Sequence, residues 1–354
     1  MGGLTIGSLF SGVGGLDMAV EQFFNARPAW FVEFDPAPSK VLAHRWPGVP
    51  NFGDVTTVDW NAVPRVDILT GGFPCQDLSL AGRRAGMRPG TRSGLWADYL
   101  AAIAAIKPRM VVIENVRGLL SGAAESDSDL EPGAGSVGDG HDGPVLRALG
   151  RVLGDLAGIG YDTRRCGLRA ADAGAPHGRF RVFVVAYPQD TDSAARGEWW
   201  GAAPGSAESG RARADTCGRG GVPIADAGGP AFGEQPRGAF EEETGTNAGD
   251  RLADHGGERP DSHGREAWGE FWPAINRWGS VLRRDAPAPT RPDGRDGRHR
   301  LNPELTEWMM GWPAGHVTAP EIGLSRAEQL KACGNGVVPQ QAYLALCTLL
   351  GRPA

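Results

Sequence analysis

The first 187 residues alternate short apolar runs with stretches in which apolar residues recur every three or four positions. The short runs predict strands at residues 4–10, 30–34, 66–70, 110–113, 161–168 and 181–187. The helical spacing predicts helices at residues 16–24, 95–106 and 145–156. Because strands and helices alternate along the chain, we predict an α/β domain with a mostly parallel sheet and helices on both faces.

Two stretches depart from this alternation. Residues 121–143 contain six acidic residues and neither lysine nor arginine, so we expect a flexible acidic insertion at the surface. From residue 188 to about residue 265 the periodicity disappears, and short phrases such as ADTCGRGG and ADHGGERP recur. These phrases are too short to be solenoid repeats, and we expect loosely ordered loops there.

The region after residue 265 regains pattern. Residues 268–278 (WGEFWPAINRW) predict an ordered core, whereas residues 283–300 hold six arginines among prolines and glycines. The arginine-rich stretch is compatible with binding along a phosphate backbone and equally with a proline-rich surface linker. Further on, Asn302 and Pro303 predict a helix start. The residues expected on one face of that helix are Leu305, Trp308, Met309 and Trp312.

Composition and charge set limits on the class of protein. The formal net charge is −6, and residues 121–143 alone supply −6, so the remainder is neutral and does not indicate a partner. The five cysteines form no C-x-x-C pair, so we expect neither a disulfide framework nor a metal site. The first residues lack a signal-peptide pattern and no run of about 18 apolar residues occurs, so we expect a cytoplasmic protein that does not enter a membrane.

Glycines follow the first predicted strand in the phrase FSGVGG, residues 10–15. Glycines at a turn between a strand and a helix let the backbone approach a nucleotide-like ligand, although they also occur as plain turn residues. Glu33 ends the second predicted strand, where a carboxylate can accept hydrogen bonds from ribose hydroxyls. Asp54 follows in the phrase GDV and is a candidate contact for an adenine amino group.

Cys75 lies in GGFPCQ, directly after the strand predicted at residues 66–70. The carboxyl ends of parallel strands form the edge where α/β sheets bind ligands. Pro74 stiffens the backbone there, and the neighbours are polar or glycine, which favours a reactive thiol over a buried inert one. We predict inert, buried thiols for Cys166, Cys333 and Cys347. The loop that follows carries Arg83, Arg84, Arg88 and Arg92 among glycines and suits closure over nucleic-acid phosphates.

Glu114 and Asn115 follow the strand predicted at residues 110–113, which places a carboxyl on the same sheet edge as Cys75. Such a carboxyl is often only a solvated strand end. Arg179 and Arg181 stand at the entrance of another predicted strand, so we expect them to pair with Glu114 and to hold a base.

The ordered set of motifs resembles the cytosine-5 DNA methyltransferase family. The matching phrases occur in family order through nearly the whole chain: LFSGVGGLDMAVE, EFDP, GDV, GGFPCQDLS, ENV, AADAGAPHGRFRVFVVA, LNPELTEWMMGWP and GNGVVPQQA. One departure is His177, where the family usually has glutamine before its pair of arginines. We expect this to change one polar contact and not the reaction.

The resemblance implies a fold, a mechanism and a cofactor. The fold is the Rossmann-like sheet of S-adenosyl-L-methionine-dependent methyltransferases, with residues 1–187 as catalytic and cofactor-binding domain. Cys75 would add to C6 of a cytosine flipped out of the duplex, Glu114 would act at N3, and Arg179 with Arg181 would orient the base. The family positions that hold the methyl donor fall on Phe10, Gly12, Gly14, Glu33, Phe34, Asp54 and Asn335.

The resemblance also assigns the remaining segments and partners. Residues 188–300 correspond to a smaller, irregular target-recognition domain, and residues 301–354 to a segment that packs back on the catalytic domain. The implied substrate is double-stranded DNA, the expected state is a monomer, and the protein partner that this family suggests is a cognate restriction endonuclease.

Three other functions stay open at this stage. A related class of enzymes methylates cytosine in tRNA, but these lack a long variable segment such as residues 188–300. A DNA-binding relative without activity is a second alternative, against which the intact Cys75 and Glu114 argue. A nicotinamide enzyme would explain the glycine turn but not the PCQ and ENV phrases.

Overall fold

The computed structural model describes residues 3–74, 95–120, 148–190 and 265–352, which belong to one compact unit. The strands are β1 (Thr5–Leu9), β2 (Arg27–Val32), β3 (Ile68–Gly71), β4 (Met110–Val116), β5 (Tyr161–Arg169), β6 (Phe180–Pro188), β7 (Thr290–Arg291) and β8 (Arg300–Leu301). The helices are α1 (Gly15–Phe24), α2 (Pro36–Arg45), α3 (Trp96–Ile106), α4 (Ala148–Gly158), α5 (Arg265–Trp268), α6 (Trp272–Leu282), α7 (Pro303–Met309), α8 (Arg326–Asn335) and α9 (Pro339–Leu350).

Six strands form the central sheet in the order β2-β1-β3-β4-β6-β5. The strands β2, β1, β3 and β4 are parallel, and β6 runs antiparallel to both of its neighbours. The mostly parallel α/β sheet predicted from the hydrophobic pattern is therefore confirmed. Because β6 is reversed, its first residues lie at the same sheet edge as the last residues of β3 and β4.

Both faces of the sheet are buried, as the continuous apolar runs of its central strands require. Leu69, Val111 and Ile113 pack into one cluster with residues of α3 and α4. The strand residues between them, such as Ile68 and Val112, point to the opposite face and are also buried. The sheet is therefore a rigid platform that fixes the positions of the loops at its edge.

The strand bounds differ from the prediction at the residue of greatest chemical interest. We expected β4 to end at Ile113, with Glu114 just beyond it, but β4 continues to Val116. The parallel pairing with β3 stops at Ile113, whereas antiparallel pairing with β6 places Glu114 opposite Phe183 and Val116 opposite Arg181. The hydrogen bonds to β6 therefore hold the Glu114 backbone in a strand.

The helix start predicted at Asn302 is confirmed, since the Asn302 side chain accepts a hydrogen bond from the Glu304 amide at 3.1 Å. Trp312 was expected on one face of this helix, but α7 ends at Met309 and Trp312 lies beyond it. Trp312 is nevertheless buried, and its indole donates to the Val337 carbonyl at 3.0 Å. Its burial comes from packing against a distant loop, which a helical periodicity does not encode.

The ordered core predicted at residues 268–278 coincides in large part with α6. Trp278 is fully buried and its indole donates to the Trp308 carbonyl at 2.9 Å, so α6 packs directly on α7. The boundaries of the recognition domain at residues 188–300 stay a prediction, because residues 191–264 and the acidic insertion at 121–143 lie outside the described ranges. Within those ranges, none of the helices has the length and apolarity needed to cross a membrane.

Candidate active site

The glycine turn after β1 adopts the backbone geometry for which its glycines are needed. Gly12 and Gly14 have φ of 54° and 80°, in the left-handed region that other residues rarely adopt. The Gly12 amide donates to Glu33 Oε2 at 2.7 Å. A methyl group added at Gly12 would meet no atom within 4 Å, so the turn presents open backbone at this point. Phe10, at φ 51°, begins the turn and contacts Tyr99 with ring centroids 6.1 Å apart.

The Glu33 carboxylate, just beyond the end of β2, accepts hydrogen bonds from two backbone amides. Its Oε1 accepts the Asp35 amide at 2.8 Å while Oε2 accepts Gly12, and burial raises its pKa above the ordinary value in spite of these bonds. Each carboxylate oxygen keeps a lone pair, so Glu33 can accept further hydrogen bonds from a hydroxyl group. Phe34, the next residue, is 76% exposed, which leaves an apolar ring free to cover a ligand. Asp54 is half-buried and caps a short turn by accepting from the Thr56 amide at 3.0 Å.

Asn335 lies across a small cleft from these residues. The cleft is lined by residues that include Gly12, Asp35, Lys331 and Asn335. An ion pair of 2.8 Å between Lys331 Nζ and Asp35 Oδ2 joins α8 to the start of α2. Gly12 and Asn335 both line this cleft, and the neighbouring Glu33 and Phe34 add a carboxylate and an exposed aromatic ring, groups that suit a nucleoside.

A buried polar cluster beneath the edge was missed by the sequence analysis. The Asp17 carboxylate accepts the Thr70 hydroxyl at 2.6 Å and the Ser8 hydroxyl at 3.0 Å. Burial raises the pKa of Asp17 to about 6, against the lowering effect of these hydroxyls. The cluster joins β1 to β3, and so joins the two loops that leave their ends. Its signal in the sequence was an acid on the otherwise apolar face of α1.

Glu114 forms a short ion pair with Arg181, with 2.6 Å between Oε1 and Nε. The two side chains are 11% and 14% exposed, so water screens the pair weakly. Burial raises the pKa of Glu114, while Arg181 and then Arg179 oppose the rise, and the net shift is upward. The carboxyl is therefore buried at the sheet edge, with a pKa above its ordinary value and a charged partner in contact.

The GGFPC segment is fixed against Glu114 as far as residue 74. A methyl group added at Gly72 would lie 2.9 Å from Glu114 Oε2, so the approach of the two residues requires glycine. The Asn115 amide donates to the Phe73 carbonyl at 3.1 Å. Phe73 is itself buried, with its ring centroid 5.2 Å from that of Trp96. The ENV and GGFP phrases are thus in direct contact.

Several predicted residues lie outside the described residues. They are the nucleophile candidate Cys75 and the four loop arginines, Arg83, Arg84, Arg88 and Arg92. Of the other cysteines, Cys333 and Cys347 are buried as expected. Cys166 is only partly buried, because it lies on β5, the outermost strand of the sheet.

The two arginines predicted to pair with Glu114 have different partners. Arg181 binds Glu114, whereas Arg179 donates from Nη1 to the Gly334 carbonyl at 2.7 Å and from Nη2 to the Gly336 carbonyl at 2.8 Å. His177, at the position where the family usually has glutamine, donates from Nε2 to the Met309 carbonyl at 3.1 Å. Burial lowers the pKa of the His177 imidazole, and its hydrogen bond joins the strand entrance to α7.

The comparison with known proteins shows the family of the chain. A family model described as C-5 cytosine-specific DNA methylase matches residues 4–209, more than half of the chain. The chain belongs to this family. Within the described residues, no group of three or more His, Cys, Asp or Glu side chains could hold a metal ion.

Curated relatives share the amino-terminal part of the chain. The chain is 38% identical over 154 residues to a protein of Escherichia phage P1 named DNA N-6-adenine-methyltransferase, and this match covers 37% of the chain and 20% of that protein. It is 32% identical over 182 residues to the Type II methyltransferase M.NlaIV of Neisseria lactamica, covering 50% of the chain and 40% of that protein. The matches thus span less than half of either relative.

A solved structure resembles the whole fold. The S. pombe Dnmt2 methyltransferase aligns over 98% of both chains with a TM-score of 0.54 and 12% sequence identity. At this identity the likeness concerns the fold alone, and it agrees with the predicted α/β methyltransferase class.

Proposed function

We propose that this protein is a DNA (cytosine-5)-methyltransferase, which transfers a methyl group from S-adenosyl-L-methionine to C5 of a cytosine flipped out of duplex DNA. The observation that carries the proposal is the buried Glu114–Arg181 pair beside the segment that leads to Cys75. Cytosine lies stacked inside a duplex, so a pocket that acts on its ring requires an extruded base.

The chemistry assigns one task to each side chain. Cys75 as thiolate forms a bond to C6, while Glu114 donates a hydrogen bond or proton at N3 to take up the charge that enters the ring. C5 becomes nucleophilic as a result. After methylation, loss of the C5 proton and departure of Cys75 restore the aromatic ring. Arg181 holds the Glu114 carboxyl in place and is the candidate for orienting the base.

The donor site is proposed on the opposite side of the same edge. When bound, S-adenosyl-L-methionine supplies an electrophilic methyl group on a positively charged sulfur. Glu33 has the free lone pairs for ribose hydroxyls and Phe34 the exposed ring for adenine. The remaining proposed donor residues are Phe10, Gly12, Gly14, Asp54 and Asn335, of which Gly12 and Asn335 line the cleft.

The DNA-reading part is proposed at residues 188–300. The β7–β8 hairpin at its end exposes Arg295 and Arg298, which favours phosphate binding over a linker role for this stretch. We propose a monomer that acts on DNA in the cytoplasm, with a cognate restriction endonuclease as the partner in the cell.

The test is transfer of labelled methyl groups from S-adenosyl-L-methionine to duplex DNA and, in parallel, to tRNA, with nucleoside analysis of the products. We expect 5-methylcytosine in DNA from the wild-type protein and none from Cys75→Ala. Label found only in tRNA would favour the RNA alternative, and N6-methyladenine in DNA would overturn the assignment of the base. DNA binding without any transfer would favour the inactive relative.

A further inference from the structure

Arg179 lies at the entrance of β6, the strand that carries the Glu114 partner, and joins it to the loop of residues 334–337, which includes Asn335 at the end of α8. Its guanidinium donates to the carbonyls of Gly334 and Gly336, which flank Asn335 on either side. A planar guanidinium presents two parallel donors and is suited to hold two acceptors at once. The Arg179 side chain therefore holds the loop at two carbonyls, which lie 155 and 157 residues after Arg179 in the sequence.

The opposite side of this loop touches the glycine turn of the donor site. A methyl group added at Gly15 would overlap the Val337 carbonyl, and one at Gly336 would overlap the Trp312 ring. The Trp312 indole also donates to the Val337 carbonyl at 3.0 Å. The loop is thus wedged between the start of α1, Trp312 and Arg179, so a shift at Arg179 displaces Asn335 relative to the glycine turn.

The backbone of Arg179 is held as firmly as its side chain. Its carbonyl accepts the Gln341 side-chain amide at 3.1 Å and the Ala170 backbone amide at 2.9 Å. Two residues later along the same strand entrance, Arg181 binds Glu114. One rigid segment therefore carries both the partner of the catalytic carboxyl and the clamp on the donor-side loop.

We infer that Arg179 is a positioning residue for the methyl donor, which acts by holding Asn335, and not a residue whose first task is to orient the base. This inference rests on the proposed function, because it takes Asn335 as a donor contact. It assigns the two neighbouring arginines to different halves of the site: Arg181 to cytosine activation and Arg179 to the donor.

Two measurements separate these roles. Equilibrium dialysis without DNA gives the Kd for S-adenosyl-L-methionine. Release of tritium from C5 of cytosine in duplex DNA without donor reports attack on the base alone, because addition at C6 lets C5 exchange its hydrogen. We expect Arg179→Gln to raise the donor Kd about tenfold, equivalent to about 1.4 kcal/mol, with tritium release within about twofold of wild type. Arg181→Gln is the matched control, with the opposite pattern.

Asn335→Ala tests the route of the effect, and Arg179→Lys covers the case in which Arg179→Gln does not fold. If Arg179 acts through Asn335, Arg179→Lys weakens donor binding in the wild-type background and adds little in the Asn335→Ala background. Full additivity would overturn the inference, as would loss of tritium release with unchanged donor affinity. If Arg179→Gln weakened donor binding and tritium release equally and also lowered the Tm, Arg179 would be only a structural residue. Absence of donor binding by the wild-type protein would instead contradict the proposed function.

Discussion

Removal of the Arg181 charge tests the electrostatics of the site most strongly. The substitution Arg181→Met keeps much of the side-chain volume but leaves the Glu114 carboxylate without its partner at 2.6 Å. Both side chains are less than 15% exposed, so solvent screening reduces the effect only slightly. Breaking one side of a buried ion pair typically costs about 3–5 kcal/mol. We therefore expect a loss of about 3 kcal/mol in the free energy of unfolding at pH 8.

The pH dependence of this loss follows from the pKa of Glu114. Burial raises that pKa, and without Arg181 less remains to oppose the rise. A carboxyl whose pKa is higher in the folded than in the unfolded protein binds a proton on folding, so its penalty is absent at low pH and grows as pH rises through the folded pKa. The variant should therefore lose less stability at an acid pH at which the protein still folds than at pH 8.

Urea unfolding followed by tryptophan fluorescence measures both quantities. Adding Glu114→Gln to Arg181→Met removes the unpaired charge and should recover part of the loss, with most of the pH dependence gone. A loss below about 1 kcal/mol that is equal at both pH values would refute the reasoning. The reasoning would also be contradicted if the double variant lost the sum of what Arg181→Met and Glu114→Gln lose separately, because residues in contact must couple.

Three further predictions concern separate parts of the site. Gly72→Ala places a methyl group 2.9 Å from the Glu114 carboxyl and should lower kcat about tenfold or more while donor Kd stays unchanged. Glu33→Gln removes the charged acceptor of two backbone amides, so the donor Kd measured by dialysis should rise. In the wild-type protein, donor affinity should fall at acid pH, as Glu33 takes up a proton at its raised pKa. Replacing both Arg295 and Arg298 by serine should weaken DNA binding and flatten its dependence on salt by a slope of about two.

Matched controls make these results decisive. Gly154→Ala, in α4 with no atom within 4 Å of the added methyl, should leave kcat unchanged. Arg27 lies at the beginning of β2, at the end of the sheet away from the candidate site. Arg27→Ser should therefore leave the salt slope of DNA binding unchanged. Normal kcat in Gly72→Ala, unaltered donor affinity in Glu33→Gln, or an unaltered salt slope in the arginine variant would each count against its own part of the site.

The sheet was predictable because its determinants are local. Strands buried on both faces give continuous apolar runs such as residues 110–113, and Asn302 with Pro303 carries its own helix-start signal. Glycines at residues 12 and 14 meet a backbone requirement that no other residue meets as well. These features depend on the residue itself or its near neighbours, so one sequence contains them.

The contacts that organise the site were not predictable in the same way. The reversal of β6 extends β4 past Ile113, and no local pattern states which strand will pair beyond that residue. The Arg179 clamp joins residues more than 150 positions apart, and the Asp17 cluster joins α1 to β3. Motif resemblance placed both arginines at one site, whereas the directions of their side chains depend on tertiary packing.

The central claim is a covalent bond between Cys75 and a flipped cytosine, and trapping of that bond tests it most directly. A library of random duplex DNA containing 5-fluorocytosine includes every short recognition sequence. Fluorine at C5 blocks the proton loss that would release the cysteine. With S-adenosyl-L-methionine present, we predict a denaturation-resistant protein–DNA complex for the wild-type protein and none for Cys75→Ala. No complex with the wild-type protein, or an undiminished complex with Cys75→Ala, would contradict the account.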